Sequence, residues 1–164
     1  MDNRWLSIYL RDHYAASAGS VALAQRALGA THPVAEQIAR DRETLGAIMR
    51  KLEIRPSAMK VALVRTAERV GRLKLNGRLI RRSPLSRVLE LEVLVLGIRG
   101  KEALWTALRS ASREVEDIDL DALIESARMQ RRQVDELRLS AAAETFADSS
   151  TRATERGTAR EPRP

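Results

Sequence analysis

Leu6, Leu10, His13, Ser17, Val21, Ala24 and Leu28 recur at steps of three and four. Only one side of an α-helix returns at that spacing, so the start of the chain is committed to a long helix with a single inward face. The same period returns after Pro33 at Val34, Ile38, Asp41, Leu45, Ile48/Met49 and Leu52. It returns again at Leu120, Leu123/Ile124, Ala127, Gln130, Val134, Leu137 and Ala141. A chain built this way buries helix against helix. Helices of about 20–28 residues span roughly 30–40 Å, and short loops between them make an antiparallel bundle.

The punctuation marks five such segments. Gly29 ends the first helix, and Pro33 opens the second at a first-turn position after a loop holding His32. Arg55-Pro56 breaks the chain, and Ser57 caps a third helix with Met59, Ala62, Leu63, Thr66, Val70 and Leu73 on one face. Leu73 to Leu79 alternates around Asn76-Gly77, which is a hairpin signal. Strands that short are barely stable alone in water, so a helix, with Asn76-Gly77 within it or just ending it, is the better reading. Ser83-Pro84 starts a fourth helix that is apolar all round (Leu85, Val88, Leu89, Leu91, Val93 to Leu96), which predicts a central position. Gly97 and Gly100 are expected to interrupt it, with Lys101–Ser110 continuing as a shorter helix around Trp105. Residues 112–118 form an acidic link, and Asp117 or Asp119 caps the fifth helix. After Ala147 the composition collapses to Ser, Thr, Arg, Gly, Pro and Glu with one Asp and two Ala, leaving nothing to bury. The expected architecture is all-α: an antiparallel helical bundle of a four-helix core plus an additional helix over 1–147, then a disordered polar tail over 148–164.

A chain of 164 residues is long enough for one domain with a real core. It has no cysteine, so disulfides, thiolate metal sites and cysteine nucleophiles are excluded. No run approaches the roughly 20 apolar residues of a membrane span. Asp12 and His13 break the first apolar stretch, so no signal peptide is legible. These features predict a soluble cytoplasmic protein with no membrane partner. No Ser-His-Asp arrangement, phosphate loop or zinc spacing is present to assign catalytic residues, and the expectation leans away from an enzyme.

Each expected core face carries one polar residue: His13, Asp41, Glu92 and Gln130. Glu92 has Val88, Leu89, Val95 and Leu96 as its neighbours one turn away. All four lie near the middle of their helices, so they can meet at one depth. Buried acids are costly unless paired. The set therefore reads either as a polar layer fixing helix register or as a small metal or ligand site. Di-iron bundles need Glu-x-x-His on two helices. This chain contains no such motif and only two histidines. No cofactor is predicted, and a metal ion is the alternative.

The charge is local. Residues 65–87 hold eight Lys/Arg against one acid, Glu68, and so carry the whole net charge of +7. Arg65 and Arg72 flank Glu68 at helix-pair spacing. Arg78, Arg81 and Arg82 precede a helix N-terminus, a setting for an anion or phosphate. Nucleic acid fits the charge, but the stretch has no recognition motif and no aromatic stacking platform. The alternative is that these arginines pair with Glu90, Glu92, Asp41 or the acidic link.

Several strings carry a resemblance. Glu68 to Leu79 (ERVGRLKLNGRL), Arg82 to Glu92 (RSPLSRVLELE), and Gly100-Lys101 with Trp105 resemble an uncharacterised bacterial family, as do Tyr9 to His13 (YLRDH) and Asp41 to Leu45 (DRETL). The resemblance covers about residues 5–145. It implies a small all-helical protein, ferritin-like in shape, and brings no activity or catalytic residue with it. Three functions follow as expectations. The first is a non-catalytic bundle acting by self-association or a protein partner. The second is a degenerate ferritin-like protein with a small metal or ligand site at His13, Asp41, Glu92 and Gln130. The third is binding of a phosphate ligand or nucleic acid through Arg78, Arg81 and Arg82.

Overall fold

A computed structural model describes residues 4–56, 84–111, 115 and 117–158, with 84, 111 and 148–158 as backbone alone. Among these residues all regular structure is helical: α1 (Arg4–Leu28), α2 (Pro33–Lys51), α3 (Pro84–Ala111) and α4 (Leu120–Thr158). The expected third helix, and with it Arg78, Arg81 and Arg82, lies outside the described residues.

The helix ends follow their local chemistry. Gly29 takes φ +103°, and its N–H donates to the Gln25 carbonyl at 3.1 Å, which closes α1. His32 is more than a loop residue. It is the N-cap of α2, and its Nδ1 accepts the Val34 N–H at 3.2 Å. At the other end Ile54 N–H reaches the Met49 carbonyl at 2.8 Å and Glu53 N–H reaches the Arg50 carbonyl at 3.0 Å. That is a Schellman closure with buried Ile54 as its apolar contact. It holds Glu53 at φ 55°, the left-handed region that costs a side-chain-bearing residue about 1–2 kcal/mol. Asp119, one of the two expected caps, accepts the Ala122 N–H at 2.8 Å on Oδ1 and starts α4.

Two expectations fail in α3. The helix runs without a break through Gly97 and Gly100. A glycine in a helix interior costs about 1 kcal/mol, and packing offsets it at Gly97, where a Cβ would stand 3.2 Å from Ser20 Oγ of α1. Nor is α3 buried all round. Val88, Leu91, Leu94, Ile98, Leu104, Trp105 and Leu108 are inside, whereas Leu85, Leu89, Val93 and Leu96 form a stripe 46–66 % exposed. The backbone of α4 also stays helical to Thr158, past the boundary expected at Ala147. Adding a residue to a formed helix is easier than starting one.

One core joins the helices. The broadest interface is between α3 and α4, and α1 packs on both α2 and α3. Leu10, Ile48, Met49, Leu91, Leu94, Trp105 and Ile124 are essentially inaccessible. Each such side chain contributes about 1.5–3 kcal/mol by leaving water. The apolar positions expected on α1, α2 and α4 are buried or half-buried. Arg26 of α1 donates to Glu90 of α3 at 3.0 Å and ties those helices at the surface. No described helix is long and apolar enough to cross a membrane.

Candidate functional site

Where α2, α3 and α4 meet, three polar side chains form a closed set. Lys101 of α3 donates through Nζ to Asp41 Oδ2 of α2 and to Gln130 Oε1 of α4. Gln130 Nε2 donates to the same Asp41 oxygen at 3.1 Å and to Ser126 Oγ at 3.0 Å. Asp41 is 7 % exposed and Gln130 fully buried, so neither reaches bulk water for its partners. Burial pushes the Lys101 ammonium below the ordinary lysine range, and the charge and hydrogen bond of Asp41 oppose that push.

A cavity of about 190 Å³ lies beside this set, between α1, α2 and α3. His13, Asp41, Lys101 and Trp105 all line it, and so do Gly97 and Gly100. Most of its remaining wall is aliphatic, including Ile38, Leu45, Ile98 and Leu104. His13 is half-buried and meets the Tyr9 ring edge-on at a centroid distance of 4.5 Å. Burial lowers its pKa and Asp12 pulls the other way, so at neutral pH its imidazole is mainly uncharged. On the same wall Arg42 donates to the Tyr14 carbonyl and to Ser17 Oγ, and its guanidinium lies 4.0 Å over the Tyr14 ring. Trp105 is 1 % exposed, and its indole N–H is buried with no acceptor among the described residues.

Gly100 is the open part of the wall. A Cβ built there meets nothing within 4 Å among the described residues. Gly97, by contrast, is held close to Ser20.

Three of the four core polar residues read from the sequence come to one place. Asp41 and Gln130 share a hydrogen bond, and His13 lines the cavity that Asp41 also lines. Glu92 does not join them, because it is exposed on the outer side of α3. The buried acid of α3 is Glu102 instead. It accepts from Arg99 at 2.8 Å and Arg128 at 3.0 Å, with Arg131 Nε 3.7 Å away. Burial alone would raise its pKa. The guanidiniums of Arg128 and Arg99 outweigh burial and hold it below the usual carboxylate range.

With Glu92 outside, no group of three His, Asp or Glu side chains assembles among the described residues. The Lys101 ammonium already takes the oxygens of Asp41 and Gln130, and a cation placed there would meet that charge. Among the described residues Glu90 pairs with Arg26, Asp41 with Lys101, and Asp117 of the acidic link with Lys51; residues 65–83 of the basic stretch lie outside the described residues.

No family model, curated protein or solved structure matches the chain.

Proposed function

We propose that this protein is a non-catalytic helical-bundle binding protein that takes a small organic ligand in the cavity between α1, α2 and α3. One observation carries this reading. His13, Asp41, Lys101 and Trp105 line a single space, and Gly100 is part of the same wall. A mainly apolar pocket with a few converging polar groups is the usual form of a ligand site. Of the alternatives set by the sequence, this is the ligand form of the degenerate ferritin-like protein, with an antiparallel bundle as the arrangement of its helices. The Lys101 ammonium stands where the metal form would need a cation.

Thermal unfolding across a panel of one-ring compounds tests the proposal. A ligand that binds only the folded state raises the midpoint with concentration. Gly100→Leu fills the cavity and removes that rise. If no compound shifts the wild-type protein, or if the filled variant responds equally, the proposal is wrong.

A second reading is self-association or binding of a protein partner. The exposed stripe Leu85, Leu89, Val93 and Leu96 favours it, since contiguous apolar surface marks contact sites. Light scattering over a concentration series tests this. A mass of one chain throughout, unchanged by Leu89→Glu with Val93→Glu, would end it.

A further inference from the structure

Away from the cavity, three guanidiniums gather on the one carboxylate of Glu102. Arg99 of α3 donates to its Oε2 at 2.8 Å, and Arg128 of α4 donates to its Oε1 at 3.0 Å. Arg131 of α4 brings Nε to 3.7 Å from Oε2, too far for a hydrogen bond. That Nε has no acceptor among the described residues. Both oxygens of Glu102 are in use, so Arg131 has an ionic neighbour and no hydrogen-bond partner there.

The charges do not balance. Three cations against one anion leave two positive charges in excess. Glu125 does not remove that excess. It lies 3.5 Å from Arg128, but it also brings in Arg132 at 3.1 Å, so four cations then face two anions. Guanidiniums held this close repel one another, and a further anion would relieve the repulsion.

The geometry leaves the bases open to solvent and the acid closed to it. The Arg99, Arg128 and Arg131 side chains are 66, 46 and 35 % exposed, against 7 % for Glu102. An anion arriving from water therefore meets the arginines without displacing Glu102. Each guanidinium carries five N–H donors in a planar fork, and Arg99 and Arg128 spend only part of theirs on carboxylates. That fork matches the oxygens of a phosphate. A phosphate diester brings one negative charge. A terminal phosphate brings nearly two at neutral pH, which equals the excess.

We propose that Arg99, Arg128 and Arg131 together bind a dianionic phosphate group, either free phosphate or the monoester of a small molecule.

Titration calorimetry at low ionic strength compares orthophosphate, glycerol phosphate and the monoanionic diester dimethyl phosphate. The two dianions should bind at least about tenfold more tightly than the diester, the worth of one charge-assisted hydrogen bond. Tighter binding of glycerol phosphate supports the ester as the natural occupant, and tighter binding of orthophosphate supports the free ion. The second charge of a phosphate monoester is lost with a pKa of about 6. The affinity for glycerol phosphate should therefore fall about tenfold from about pH 8 to about pH 5, while the arginines and Glu102 keep their charges. Arg99→Gln with Arg131→Gln leaves Arg128 on Glu102 and should abolish binding, with circular dichroism confirming the helices. Arg40→Gln with Arg138→Gln removes the same charge elsewhere and should leave binding as it was. No binding of either dianion overturns the proposal, as does equal binding of dimethyl phosphate. It is also overturned if the two double variants lose affinity equally, since net charge alone would then be responsible. None of these results bears on the cavity.

Discussion

Replacing Lys101 alone should damage this protein more than replacing Lys101 and Asp41 together would suggest. Lys101→Met leaves the Asp41 carboxylate 9 % exposed, with Gln130 Nε2 at 3.1 Å as its remaining partner in the polar set. Breaking a buried ion pair from one side costs about 3–5 kcal/mol, because the other charge is stranded. Asp41→Leu strands the ammonium and should cost a similar amount at neutral pH. The double variant removes both charges and puts apolar groups in their place. Its main loss is Gln130 Oε1, left without a donor, at about 1–3 kcal/mol. The two single losses should therefore exceed the double loss by at least about 3 kcal/mol. Urea unfolding followed by far-ultraviolet circular dichroism measures all four proteins, provided that the slope m stays constant. A double variant that loses the sum of the two singles would show that the side chains do not interact.

Other consequences follow from single positions. Glu53→Gly relieves the left-handed backbone at the end of α2 and should stabilise by about 1 kcal/mol, read as a higher urea midpoint. Gly100→Ala should raise the thermal midpoint by the equivalent of about 0.5–1 kcal/mol, because its Cβ meets nothing and helix propensity improves. The Glu102 carboxyl titrates lower in the folded protein than in the unfolded chain. Its contribution is complete above the unfolded value of about 4.3 and is lost as pH falls through the folded value. The stability difference between wild type and Glu102→Gln should accordingly shrink as pH falls below about 4.3, and a constant difference would contradict the Arg99 and Arg128 pairing.

Periodicity made α1, α2 and α4 legible because their faces are unbroken. Asp41 and Gln130 stand in register with the apolar residues around them, and both prove to be buried. In α3 apolar residues occupy two sides, so hydropathy alone could not tell the inner face from the outer one. Glu92 fell on the outer stripe. Counting back from Trp105 in steps of three and four gives Lys101, Ile98, Leu94 and Leu91, the face the structure buries. Treating Gly97 and Gly100 as breaks hid that register, and with it Lys101 and Glu102. Tertiary packing sets the cost of a helical glycine, and composition does not report it. The cap made by the His32 side chain was missed for a similar reason. It depends on one ring nitrogen meeting one N–H, and residue type alone gives little sign of it.

A crystal structure grown with acetophenone measures the central claim directly. The account predicts ring density in the space bounded by His13, Lys101, Gly100 and Trp105. Density for the compound only on the outer surface, with that space closed by the surrounding side chains, would contradict it.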